Sequence, residues 1–146
     1  MKKFKFRLEK VLQYREIVKG EKKRELSLKL AILREAEDKL DALFKAQAEN
    51  NMPDGGTVNA NVYFLRGQFA TRVKEAIVRQ RLVIIEAEKQ VEVARNIYIE
   101  ASREVKTLEM LKAKKQEQYM EYVKDEEAKF LDEIVTQRAA RGMGLD

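Results

Sequence analysis

The side chains able to do chemistry in this chain are carboxylates and cations. Carboxylates gather at Glu35, Glu37 and Asp38, and again at Glu126, Glu127, Asp132 and Glu133. Such spacing invites a metal reading. A di-metal helical bundle, however, requires Glu-x-x-His pairs, and the chain has no histidine. The D-x-[DN]-x-[DN]-G pattern of a calcium loop is also absent. Solvated helix faces account for both clusters, and neither a metal nor a cofactor is expected. Without histidine or cysteine there is no imidazole base, no usual zinc ligand, no thiolate nucleophile and no disulfide. Gly55 and Gly56 follow Pro53 and read as a turn, not as a phosphate cradle. The chain is not expected to be an enzyme.

The cations are concentrated. Residues 1–24 carry net charge +7, residues 25–61 net −3, residues 62–85 net +4 and residues 86–146 net −3. Lys19, Lys22, Lys23 and Arg24 form the densest basic cluster. It reads either as a solvated helix face or as a surface for an acidic partner. Nucleic acid is not expected, because stacking aromatics, glycine-rich loops and a recognised binding fold are missing.

The elements that position these groups follow from the chain breakers. The sole proline lies in Asn50-Asn51-Met52-Pro53-Asp54-Gly55-Gly56, the strongest turn signal present. On either side, Gly20 and Gly67 are the only breakers up to Arg141. The fold class expected is all-α: two long helices forming an antiparallel coiled-coil hairpin, the second longer. A single domain over residues 1–146 is expected, with helices at about 3–50 and about 58–141 and a loop at about 51–57. In the second helix, steps of four and three from Phe69 give Val73, Ala76, Gln80, Val83, Ala87, Gln90, Ala94, Ile97, Ala101, Glu104, Leu108 and Leu111. A flanking column at sevens reads Ile77, Ile84, Val91, Tyr98 and Val105. Together they make a seam that wants a partner helix. Gln80, Gln90 and Glu104 either set its register or mark where it opens to solvent. Tyr63, Phe64 and Phe69 either cap the hairpin core or serve as exposed anchors.

Folding back near residue 55 would set residue 5 beside about residue 105 and leave about 106–141 without an internal partner. Lys106 to Lys129 reads as polar. No apolar run approaches the ~18 residues of a membrane span. The basic Met1–Lys5 stretch has no apolar region after it, which argues against a cleaved secretory signal.

Three stretches in order carry a family resemblance. Phe4-Lys5-Phe6-Arg7-Leu8-Glu9-Lys10-Val11-Leu12-Gln13-Tyr14-Arg15 resembles the start of FliJ proteins. Gln68 to Gln80 (QFATRVKEAIVRQ) and Asp132 to Arg141 (DEIVTQRAAR) resemble later parts of the same family. FliJ proteins are soluble coiled-coil components of the flagellar type III protein export apparatus. The resemblance implies an antiparallel hairpin like the rotor stalk of rotary ATPases. Implied partners are the hexameric export ATPase, the export gate membrane protein FlhA and export chaperones, with no direct membrane insertion. The implied location is the cytoplasm, peripherally at the inner face of the membrane at the flagellar base. Arg7, Leu8, Val11, Leu12 and Arg15, with Gln137, Arg138 and Arg141, would enter the ATPase ring. Leu43, Phe69, Val73, Ala76 and Gln80 would face the gate, although the periodicity puts Phe69, Val73 and Ala76 in the intramolecular seam. Lys22, Lys23 and Arg24 complete the candidate partner-binding set. Two other readings stand beside this one: a self-associating structural coiled coil, and a holdase resembling prefoldin, whose strands the sequence lacks.

Overall fold

The computed structural model describes residues 3–51 and 59–143. Among them are two helices and no strand: α1, Glu9–Glu49, and α2, Ala60–Met143. The expected all-helical hairpin with a longer second helix is what forms. Past Asn51, the expected loop with Pro53, Gly55 and Gly56 lies outside the described residues.

Local chemistry sets the helix ends. Asn59 caps α2: its Oδ1 accepts from the Asn61 N–H at 3.2 Å, and its carbonyl accepts from the Tyr63 N–H at 3.0 Å. α1 begins at Glu9, later than the expected residue 3, where a carboxylate suits the helix's positive end. Before it, Phe4, Phe6 and Leu8 are half-buried while Lys5 and Arg7 are exposed. That period of two belongs to a non-helical arm.

Contacts divide the chain into two units. One is the hairpin unit, residues 18–101; the other is the terminal unit, residues 1–17 with 102–146. In the hairpin unit, the Asn50 amide donates to the Arg66 carbonyl at 3.1 Å and the Gln80 amide to the Ala36 carbonyl at 2.8 Å. Falling numbers on α1 against rising numbers on α2 make the pair antiparallel. In the terminal unit the same order holds. Arg15 Nη1 lies 2.7 Å from Glu104 Oε2, Lys112 Nζ lies 2.9 Å from Glu9 Oε2, and the Phe4 and Tyr119 rings are 5.7 Å apart.

These pairs correct the sequence arithmetic. Equal rise on both arms sets residue 5 beside residue 105, yet Phe4 reaches Tyr119. The fold-back centre falls several residues later than Pro53. The arm also advances further per residue than a helix does, about 3.3 Å against 1.5 Å. Pairing therefore continues well past residue 106.

Burial identifies the seam. The buried apolar residues are Leu12 and Ala36 on α1, and Val73, Ile77, Ala87, Val91, Ala94, Ala101 and Val105 on α2. The column at sevens, expected to flank the seam, supplies its large members, with Ile84 and Tyr98 half-buried. Of the expected stripe, Val83 (50% exposed), Gln90 and Ile97 (42% exposed) face outward. The true seam alternates Val73, Gln80, Ala87, Ala94 and Ala101 with Ile77, Ile84, Val91, Tyr98 and Val105, a 4-3 heptad. Bulky side chains gain most from burial, so the bulkier of two possible phases wins.

On α1 the matching heptad runs Leu12, Arg15, Lys19, Lys22, Leu26, Lys29, Leu33, Ala36, Leu40, Leu43 and Gln47, and each is buried or half-buried. Equal rise from the Ala36–Gln80 bond sets Leu43 beside Val73, Lys29 beside Ala87 and Lys22 beside Ala94. Layers of Leu against Ile or Val thus alternate with layers of Lys against Ala. Alanine leaves room for the lysine stem, and the ammonium head extends to solvent.

The two phases make opposite predictions for two valines of α2. Val105→Ala should cost about 2 kcal/mol of unfolding free energy, as a cavity in the seam. Val83→Ala should stay within about 0.5 kcal/mol. Urea denaturation followed by circular dichroism measures both, and equal losses would disprove the assigned phase.

Candidate partner-binding surfaces

The residues proposed to meet the ATPase fall in the terminal unit. Leu12 is buried (4% exposed) and serves the seam. Arg7 and Val11 are exposed, and Leu8 is half-buried. Arg15 is tied to Glu104 through its guanidinium donor. Both side chains are about two-fifths exposed (41% and 40%), so the pair contributes at most ~1 kcal/mol. Lys112 and Glu9 form a second, similar bridge, in which Lys112 lies off the hydrogen-bond direction of Glu9 Oε2. Gln137, Arg138 and Arg141 are exposed on the same unit. They are not gathered with Arg7–Arg15. Gln137 lies about 27 Å further along α2 than Tyr119, at ~1.5 Å per residue.

The residues proposed to meet the gate protein fall in the hairpin unit and do not share one surface. Val73 is buried (5% exposed) in a layer with Leu43. Ala76 is half-buried, and so is Gln80, whose amide is spent on the Ala36 carbonyl. Phe69 alone of the set is exposed (44%). The tension between seam and partner roles is thereby divided by residue: Val73 packs inside and Phe69 faces out. Nearby, the Arg81 guanidinium stands 5.7 Å from the Phe44 ring centroid, a cross-helix cation–π contact.

The three polar seam candidates separate in the same way. Gln80 is a seam residue that sets register. Gln90 is exposed and donates to Glu86 on its own helix. Glu104 is at the seam's edge, bound to Arg15.

The basic cluster is also split. Lys19 and Lys22 are half-buried at seam positions, whereas Lys23 and Arg24 are exposed. Lys22 Nζ lies 3.6 Å from Glu25. Lys19 to Glu25, which holds no apolar residue, therefore still packs, using lysine stems.

One surface escaped the sequence reading. Tyr119, Tyr122, Val123, Glu126, Glu127, Phe130 and Leu131 line one concave strip of α2, and Ile134 continues the same spacing. Steps of three and four place them on one helix face. Tyr122, Phe130 and Leu131 are 59%, 63% and 60% exposed. The helical period was legible here, but the surrounding lysines and glutamates hid it.

Among the described residues no group of three or more acidic side chains is placed to hold a metal ion. No helix among them is long and apolar enough to cross a membrane. An antiparallel helical hairpin with open apolar strips defines a protein suited to contact. The family model of the flagellar FliJ protein matches residues 4–144. The chain belongs to the FliJ family, a component of flagellar protein export. No curated protein and no solved structure matches it significantly.

The split within the basic cluster is testable by charge reversal. Lys22→Glu should destabilise the hairpin by about 1 kcal/mol, because it sets a carboxylate at a seam position beside Glu25. Lys23→Glu and Arg24→Glu should each change it by less than about 0.5 kcal/mol. Thermal melts would refute the split if all three behaved alike.

Proposed function

We propose that the chain is a non-enzymatic stalk and coupling factor of flagellar type III protein export. It binds the hexameric export ATPase, the export gate protein FlhA and export chaperones. It works in the cytoplasm, held peripherally at the inner face of the membrane by these partners. Any hydrolysis belongs to the ATPase. A single coiled-coil domain, with its contacts divided along its length, performs this work.

The observation that carries this reading is the strip Tyr122–Leu131, which continues along α2 beyond Tyr119, where Phe4 of the N-terminal arm packs. An apolar helix face of this kind suits a groove or pore lined by other chains. The terminal unit also holds Arg7, Val11, Gln137, Arg138 and Arg141, all exposed. In the hairpin unit Phe69 is the exposed anchor for the gate protein. Membership of the FliJ family supports the assignment of partners.

Adding the chain to the purified export ATPase should promote ring assembly and raise hydrolysis. Phe130→Ser with Leu131→Ser should weaken that binding on the order of tenfold to a hundredfold, with helicity kept. If neither assembly, hydrolysis nor binding responds to the wild-type chain, the stalk reading fails.

A further inference from the structure

The start of α2 has a surface that neither the seam nor the export reading uses. Val62, Tyr63, Phe64 and Leu65 are consecutive and all exposed, at 39%, 70%, 63% and 61%. Successive helical residues turn by about 100°, so these four point all around the helix. Among the described residues no helix lies against them. α1 ends at Glu49, and the bond nearest the tip among the described residues runs from the Asn50 amide to the Arg66 carbonyl. The first turns of α2 therefore project beyond α1.

A groove on a protein covers one face of a helix, as the seam does. A helix end that is apolar on all sides suits a medium that surrounds it. The next turns are cationic. Arg66 and Arg72 follow, then Lys74, Arg79 and Arg81, with Glu75 the one acid before Ile85. On α1, Glu35, Glu37, Asp38, Asp41 and Glu49, against Lys39 and Lys45, offset most of this charge, and Arg66 and Arg72 are the cations nearest the apolar turn. Aromatic and aliphatic side chains at the tip, with arginines one to two turns behind, match a lipid interface. The rings enter the acyl boundary and the guanidiniums remain among the phosphates.

We propose that the hairpin tip, centred on Val62–Leu65 with Arg66 and Arg72, docks directly on an anionic phospholipid surface. It does so at the interface, since no described helix is able to cross a bilayer. This departs from the expectation of no direct membrane insertion. It goes beyond the stalk reading and needs no export component.

The chain has no tryptophan, so Phe64→Trp installs a single fluorophore in the full-length protein. Vesicles of phosphatidylcholine with about one-third phosphatidylglycerol are the probe. The tryptophan emission should shift to the blue and be quenched by brominated acyl chains. Val93→Trp, at an exposed site on the same helix, should not shift. Adding Tyr63→Ser and Leu65→Ser to Phe64→Trp should lower vesicle partition about tenfold or more. Circular dichroism checks that helicity is kept. Pure phosphatidylcholine should bind more weakly than the anionic mixture.

Three outcomes overturn the proposal. One is an unshifted, unquenched Phe64→Trp at every lipid composition. Another is salt-sensitive co-sedimentation without quenching, which would locate adhesion in the basic N-terminal segment. The third is a blue shift produced only by a purified protein component while vesicles stay inert, which would make the tip a protein-pocket anchor. Because no export component is present in the vesicle test, its failure leaves the stalk reading standing.

Discussion

A two-helix hairpin has a single interface, and everything else in this chain is arranged around that limit. Each turn of α1 contributes one layer and meets one layer of α2. Apart from the short arm before α1, no further element among the described residues covers a misplaced side chain. The choice between two possible seams on α2 therefore decides what is inside and what is left for solvent or partners. The column Ile77, Ile84, Val91, Tyr98 and Val105 takes the inside, and Val83 and Ile97 are turned out. In the hairpin unit, lysine stems alternate with leucines along α1, matched by alanines and branched residues along α2. This allows a strongly basic stretch to pack without any buried charge, and among the described residues no polar or charged residue is buried.

Two of the open apolar surfaces lie where pairing between the described helices stops, beside others such as Val78, Leu82 and Ile85 on the outer face of the paired stretch. In the terminal unit α2 continues past Tyr119 with aromatic and aliphatic side chains on one face. In the hairpin unit α2 begins before α1's partner turns, with four exposed apolar residues. Large exposed apolar side chains are individually ordinary. Grouped by helical spacing at an unpaired stretch, they mark interaction surfaces. The two groups differ in geometry: a stripe on one face in the terminal unit, a full circumference at the tip. A stripe suits a protein groove, and a full circumference suits a surrounding apolar phase. The salt bridges between the helices of the terminal unit are half-buried at the seam's edge and contribute modestly, so they tune register more than they hold the fold.

Much of the fold was legible in the sequence. The isolated turn signal around Pro53, the lack of breakers on either side and the ~3.5-residue period sufficed for an antiparallel pair with a longer second helix. The phase of the seam was not. Steps of four and three fit two stripes that share Val73, Gln80, Ala87, Ala94 and Ala101, and only side-chain volume separates the alternatives. Nor was the length of the pairing. Counting residues as helix from residue 3 missed the alternating Phe4, Phe6 and Leu8, whose arm advances along α2 faster than a helix. Of the proposed contact residues, Arg7, Val11, Phe69, Lys23 and Arg24 are exposed, whereas Leu12 and Val73 are core. Tyr122 escaped notice because a composition average over Lys106–Lys129 conceals a one-face pattern, and Phe130 and Leu131 lie just past that window.

The seam on which all of this depends runs through Ala36 and Gln80 and excludes Ile32 and Val83, which are 52% and 50% exposed. The chain's lack of cysteine allows a direct measurement by disulfide cross-linking, since bridges form only where Cβ atoms approach within about 4.5 Å. Under mild oxidation, Ala36→Cys with Gln80→Cys should close an intramolecular bridge in the monomer. Ile32→Cys with Val83→Cys should remain free thiols. The reverse result, a bridge at the second pair and none at the first, would contradict the account.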